Sequence, residues 1–321
     1  MSSRWKKIRH RAELFLVRTA STLFPRLPRS LGRWLGSVIG LVVSQLDREG
    51  RQVALTNLVC AFGDELSPRK RRRLVRYSYQ HFSRASADLY WSPRLTSQNL
   101  HSIFDLQDLA RVEKEYGKRG LIFASLHYGG FELISLALGL SGFECTVVTQ
   151  AFKNPLLTGP INELRETGGY QTVRREGALL RLYKSLVAGR NVAFAVDLRV
   201  SPRFPSVAIT SFGMQTSVTL SHAWLHQRTQ APIIPTHCEP LPHGRYRLVL
   251  HPALKISPND TEQEIAQACW DAFEPVVRQK PAPWLWMYKH WRYLPPNSGR
   301  AYPDYAKEYA HFNRLLDRAQ R

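Results

Sequence analysis

His127 and Glu132 stand five residues apart in the stretch LIFASLHYGGFELISLAL, Leu121–Leu138, and offer the two groups that general-base chemistry needs. An imidazole can take a proton from an attacking hydroxyl when a carboxylate hydrogen-bonds its other nitrogen, fixing the tautomer and raising its basicity. On one continuous helix this spacing would set the two side chains about 140° apart, too far round to pair. A strand ending at His127, a tight reversal at Gly129-Gly130 and a helix beginning near Glu132 remove that difficulty, because the carboxylate can then fold back onto the ring. Both residues also have ordinary structural uses. A glutamate suits a helix N-terminus, and a histidine at a strand end can satisfy loop backbone, so spacing alone leaves both readings standing. The chain contains no G-x-S-x-G elbow, so an acyl-enzyme route through such a serine has no visible nucleophile.

The elements that must position this pair follow a regular rhythm. Strand-like segments at Leu121–Leu126, Cys145–Thr149, Tyr170–Val173 and Val192–Val196 alternate with helix-like segments at Phe131–Leu138, Pro155–Thr167 and Glu176–Ala188. The rhythm predicts an α/β fold, a mostly parallel central sheet flanked by helices, with ligands bound beyond the carboxyl ends of the strands. One predicted strand ends at His127 and another at Asp197, which share a rim if those strands are neighbours. Further on, the pattern predicts strands at Val207–Phe212, Ile233–His237 and Tyr246–Leu250 that complete the sheet. It also predicts a helix at Thr216–Thr229 and a last long helix behind Asp260 or Thr261, with Glu264 placed to complete a capping box for Thr261. Ser67-Pro68 reads as a helix start, Asp105 as another, and Gly117 as that helix's end.

The chain divides into a basic, apolar, membrane-associated helical segment (1–47), a helical region (48–117), an α/β catalytic domain (118–300) and a C-terminal helix (301–321). With 321 residues, 44% of them hydrophobic, it can bury a full core. Its four cysteines are far apart and lack zinc-ligand spacing, and they read as buried thiols of a reducing compartment. The 45 basic and 25 acidic residues leave a net charge of +20, which suits anionic partners such as acidic headgroups, an acidic carrier protein or nucleic acid, or else a dispersed solvated surface. Arg4, Lys6, Lys7, Arg9 and Arg11 precede an apolar stretch in which Trp34–Leu46 is uncharged for only thirteen residues. A bilayer crossing needs about 20, so an interfacial helix is expected there, the alternative being a buried helix of the soluble domain. The basic flank favours the cytoplasmic face. The Arg69–Arg73 run lies in the first turns of its helix, against the macrodipole, which fits an external anion or a solvated helix end. The aromatic and basic residues of Trp284–Tyr293 fit a membrane interface, a single-stranded nucleic-acid platform or core packing. His222 and His226, four apart on a helix, have no visible third metal ligand.

Several blocks together resemble the late acyltransferases of lipid A biosynthesis, the lauroyl and myristoyl transferase type within the glycerolipid acyltransferase superfamily. HYGGFE resembles that superfamily's motif of a histidine, four residues and an acidic residue. RQVALTNLVCAF (51–62) is similar to the helix before it, KNPLLTGPINELRETGG (153–169) to the block after it with its downstream arginine, here Arg165, and AFAVDLRVSP (193–202) to the block where an aspartate ends a strand. SVAITSFGMQTSVTLSHAWLHQRTQAPIIP (206–235) and PAPWLWMYKHWRYLPP (281–296) resemble the closing blocks. The resemblance runs from about Leu31 to Pro296. Leu198 stands where the family usually has glutamine, Gln230 where it has glycine, and Tyr288 where histidine is common. These departures bear on acceptor and acyl-chain choice and weigh against a catalytic role for Asp197.

The resemblance implies transfer of an acyl chain from an acyl carrier protein or CoA thioester to a hydroxyl of a lipid A precursor or related glycolipid. A lysophospholipid or an aminolipid is an alternative acceptor. It implies His127 as general base, Glu132 as its orienting partner, the amides of Gly129 or Gly130 as oxyanion donors, and Arg165, Asp197, Arg199 and Arg203 as substrate-binding candidates. No metal or cofactor is required. The implied place is the cytoplasmic face of a bacterial inner membrane, peripheral or anchored by the N-terminal segment. A basic nucleic-acid-binding protein is the alternative of another class; no recognised nucleic-acid motif supports it, and no nucleic acid is expected as a partner.

Overall fold

A computed structural model describes residues 3–149, 152–174, 176–296 and 298–319. The first two residues of the basic segment and the last two of the C-terminal helix lie outside them. The chain begins with four helices, α1 (Ser3–Leu23), α2 (Arg29–Leu46), α3 (Arg48–Phe62) and α4 (Pro68–Trp91). Local chemistry sets their ends. Phe24–Arg26 and Pro28 separate α1 from α2, the Asp47 carboxylate accepts the Gly50 N–H at the start of α3, and Ser67 caps α4 just ahead of Pro68.

Helix α2 buries a stripe of small residues, Gly32, Gly36, Gly40 and Ser44, spaced one turn apart. The stripe lets α2 and α4 approach backbone to backbone: a Cβ at Gly40 would lie 2.7 Å from Gln80 Cα, and one at Gly36 3.0 Å from the Ser83 carbonyl. The opposite face leaves Trp34, Val38, Ile39, Leu41, Val42 and Leu46 exposed. Helix α2 is therefore not a fully buried core helix. No helix among the described residues is long and apolar enough to cross a membrane.

The α/β region contains β1 (Phe104–Asp105), α5 (Gln107–Tyr116), β2 (Ile122–Gly129), α6 (Ile134–Leu140), β3 (Cys145–Thr149), α7 (Thr158–Glu166), β4 (Gln171–Arg174), α8 (Ala178–Val187) and β5 (Asn191–Ala195). There follow β6 (Ser206–Ser211), β7 (Met214–Thr219), α9 (Ser221–Thr229), β8 (Ile233–Pro240), β9 (Tyr246–Leu250), α10 (Glu262–Gln279) and α11 (Ala310–Ala319). The seven-stranded sheet has the order β1-β9-β8-β2-β5-β3-β4. Strands β8, β2, β5, β3 and β4 run parallel, while β9, antiparallel to β8, and β1 run the other way. The mostly parallel sheet is as expected, and β2, at its centre, is apolar on both faces because helices cover both. The Thr261–Glu264 capping box forms as predicted.

The expected helix at Thr216–Thr229 is half right. Its first turn is strand β7, which pairs antiparallel with β6 in a hairpin separate from the main sheet. Val207–Phe212 therefore does not join the large sheet. Phe212 and Gly213 make the turn with φ of 51° and 73°, a left-handed pair that favours tight hairpins. Positive φ at a phenylalanine is unfavourable. Here the ring is fully buried among Trp270, Trp284, Trp286 and Trp291, and the Phe212 N–H donates to Glu274 Oε2 at 2.7 Å. Within the closing aromatic segment, Trp284, Trp286 and Trp291 pack the core and present no face to a membrane or to nucleic-acid bases.

Candidate active site

His127 sits near the end of β2 and Asp197 two residues beyond β5, and these strands are neighbours with Ser125 opposite Ala195. The shared rim follows from that pairing. Beyond Ser125 the backbone ladder continues through a side chain: the Asp197 carboxylate takes the place of a strand carbonyl, accepting the His127 N–H through Oδ2 at 3.0 Å. The same oxygen accepts the Trp284 indole N–H at 2.9 Å, and Oδ1 faces His127 Nδ1 at 2.8 Å. With no exposed side-chain surface, Asp197 is held from three directions. His127 keeps 20% of its side chain exposed, and its Nε2 has no hydrogen-bonding partner among the described residues.

The electrostatics agree with the geometry. Burial opposes a charged imidazole, but the Asp197 carboxylate, helped by Glu132 and opposed by Arg165, carries the His127 pKa above its usual value. Burial likewise works against the Asp197 carboxylate, yet His127, His290 and the Trp284 donor hold its pKa below the ordinary range. Each group thus favours the charged form of the other. His290 lies flat on Trp284 with ring centroids 4.1 Å apart and bonds the Leu285 carbonyl through Nε2, so the closing aromatic segment braces the indole that braces Asp197.

Glu132 does not meet His127. The glycine turn forms as expected, with Gly129 at φ 57° and Glu132 in the helical turn Phe131–Leu133. The carboxylate, however, is gripped by Arg165 of α7, through Nε at 3.0 Å and Nη2 at 2.8 Å, with the two side chains only 15% and 17% exposed. A planar guanidinium satisfies both carboxylate oxygens at once, which an imidazole cannot do. Arg165, expected as a free substrate grip, is thereby committed to Glu132. Phe131, beside Glu132 in the chain, has its ring 5.0 Å from that of His127.

Gly129 and Gly130 also differ from expectation. Their N–H groups donate to the carbonyls of Pro283 and Cys238 at 3.1 and 3.2 Å, so neither is free for an oxyanion. Their glycine identity serves close packing: a Cβ would sit 2.1 Å from the Cys238 carbonyl at Gly129 and 2.8 Å from Cys238 Sγ at Gly130. Arg199 donates to the Tyr293 hydroxyl at 2.7 Å and lies over its ring, and exposed Arg203 lies over Tyr309, both turned toward the C-terminal segment. His222 is buried in the core with neither ring nitrogen hydrogen-bonded among the described residues, and His226 bonds the Ala231 carbonyl. No cluster of three or more metal-ligating His, Cys, Asp or Glu residues occurs among the described residues. Cys145, Cys238 and Cys269 are buried thiols, and Cys60 is half-buried.

A family model described as bacterial lipid A biosynthesis acyltransferase matches residues 1–293. No curated protein matches the chain.

Proposed function

The chain belongs to the bacterial lipid A biosynthesis acyltransferase family and is an acyltransferase, and on that premise we propose that His127 and Asp197 carry out its chemistry. The observation behind this reading is the 2.8 Å contact between His127 Nδ1 and the fully buried Asp197 carboxylate. With Nδ1–H donated to Asp197, Nε2 is the basic nitrogen, and it accepts the proton of the acceptor lipid's hydroxyl as that oxygen attacks the thioester carbonyl. The tetrahedral intermediate collapses by breaking the carbon–sulfur bond, and the imidazolium returns its proton to the departing thiolate. An ester and a free thiol result. Asp197 stabilises the imidazolium throughout. Glu132 acts through Arg165: their bidentate pair fixes the turn that follows His127, and Phe131 within that turn packs against the ring.

The donor in this reading is an acyl carrier protein or CoA thioester, and the acceptor is a lipid A precursor or related glycolipid. The exposed apolar face of α2, flanked by the basic residues of α1, lies on the cytoplasmic face of the bacterial inner membrane. Labelled acyl transfer from a carrier-protein donor to a lipid A precursor tests the chemistry. His127→Ala should abolish transfer in a folded protein, and retained turnover would remove His127 from the mechanism. Sedimentation with anionic phospholipid vesicles tests the surface: Trp34→Glu should weaken it, and equal pelleting of both proteins would rule out α2 as the contact.

A further inference from the structure

A cluster of arginines beside the catalytic turn carries more positive charge than the protein neutralises. Asp88 of α4, with no exposed side-chain surface, accepts Arg29 Nε at 2.8 Å, the Tyr246 hydroxyl at 2.6 Å and Arg33 Nη1, which also donates to the Tyr246 oxygen at 2.7 Å. One carboxylate thus faces two guanidiniums. Arg84, one turn before Asp88 on α4, is half-buried and forms no ion pair or hydrogen bond among the described residues; its Nε is sealed from solvent without a partner, as is Arg29 Nη2. His81 adds no further positive charge, because burial and then Arg84 and Arg33 push its pKa down to about 3. Apart from Arg33, the groups acting on Arg84 are Asp88 and the neutral phenols Tyr77 and Tyr246. Three arginines against one aspartate leave two positive charges.

Half-buried charge without a partner is unfavourable unless something external supplies the opposite sign. The place is informative. The Tyr246 ring packs on Gly130, where a Cβ would lie 2.8 Å from it, and Phe82, two residues before Arg84, stacks on Phe131 at 5.8 Å. Arg29 and Arg33 belong to α2, whose outer face is apolar. A surplus of two charges matches a phosphate monoester, which carries roughly −1.5 to −2 at neutral pH and accepts paired guanidinium N–H groups.

We propose that Arg84, with Arg33 and Arg29, forms a subsite for a phosphate monoester carried by the glycolipid acceptor, holding it while its hydroxyl meets His127. This rests on the acyltransferase reading above. The test compares wild type, Arg84→Ala and Arg84→Lys with a glycolipid carrying one phosphate monoester and its phosphatase-treated form, in detergent micelles. Binding is measured directly and KM for acceptor and donor separately. Loss of charge-assisted hydrogen bonds predicts roughly tenfold or greater weakening for the phosphorylated lipid in Arg84→Ala, with partial recovery in Arg84→Lys. The phosphatase-treated lipid should bind all three proteins alike. Equal affinity of wild type and Arg84→Ala for the phosphorylated lipid would overturn the proposal, and so would a rise in donor KM alone. Binding is read without turnover, so an absence of acyl transfer by wild type would count against the function and leave the subsite measurable.

Discussion

Replacing Asp197 by asparagine separates orientation of His127 from the fold that holds it. Oδ2 of Asp197 serves two donors, the His127 N–H at 3.0 Å and the Trp284 indole at 2.9 Å, whereas Oδ1 serves one, His127 Nδ1 at 2.8 Å. An asparagine side chain will therefore keep its oxygen at the Oδ2 position and turn its NH2 toward the ring. A donor facing Nδ1 forces that nitrogen to accept, which puts the ring proton on Nε2 and removes the base. In a hydrolase triad the wrong tautomer lowers kcat about 10^4-fold. Here we expect about 10^3 to 10^4, or about 4 to 5.5 kcal/mol of barrier. The pH profile should move too. In wild type the acid limb of kcat/KM should lie above pH 6.5, because Asp197 raises the His127 pKa; without the carboxylate, burial is the larger influence and the limb should fall below 6.5. Initial rates with a carrier-protein donor, thermal denaturation and nitrogen NMR of the imidazole read the three effects. A folded Asp197→Asn protein within tenfold of wild-type kcat would refute the assignment.

Other expectations follow from the same structure. His222 and His290 have pKa values lowered to about 4, and His81 and His237 to about 3, all by burial, so the unfolded chain binds protons that the folded chain cannot. Stability should fall as pH drops below about 6.5, each such histidine adding about 1.4 kcal/mol per pH unit; His222→Leu should flatten a urea-denaturation series by about that slope. His127 acts in the opposite sense, since its raised pKa stabilises the fold below pH 6.5 and that contribution disappears as pH rises through the folded value. Gly40→Leu must push α2 off Gln80 and should cost about 1–3 kcal/mol in thermal or urea unfolding. Arg165→Ala leaves Glu132 nearly buried without a partner and should destabilise by about 3 kcal/mol, whereas Arg165→Ala with Glu132→Ala should recover part of the loss in a double-mutant cycle.

The legible part of this fold was local. Most strand positions, the Gly129-Gly130 turn, the Ser67 cap and the Thr261–Glu264 box depend on residues within a few positions of one another and are where those residues predict, whereas Asp105, read as a helix start, lies in β1. The pairing of β6 with β7 was not legible: by sequence β6 reads as a strand of the main sheet and β7 as the start of a helix, and the turn between them uses a phenylalanine in a left-handed conformation that only a buried aromatic cluster explains. The site divides the same way. His127 could be singled out, but its carboxylate partner is fixed by which strand lies beside β2, and nearness in sequence favours Glu132 over Asp197. Asp197 at a strand end was the available signal. The downstream arginine at position 165 was a second, since a guanidinium competes better than an imidazole for both oxygens of Glu132.

Helix α4 touches the outer helix and the reaction centre at once. Tyr79, Gln80 and Ser83 meet the glycine stripe of α2, Ser78 bonds the Trp284 carbonyl, Phe82 stacks on Phe131, and Asp88 ties Arg29 and Arg33 to Tyr246. Inserting one residue in a helix turns everything beyond it by about 100°. An insertion between Ser78 and Asp88 would rotate one set of these contacts away from the other while leaving every side chain present. Length changes should therefore not be tolerated inside that stretch of helix, where its phase relates the outer helix to the base.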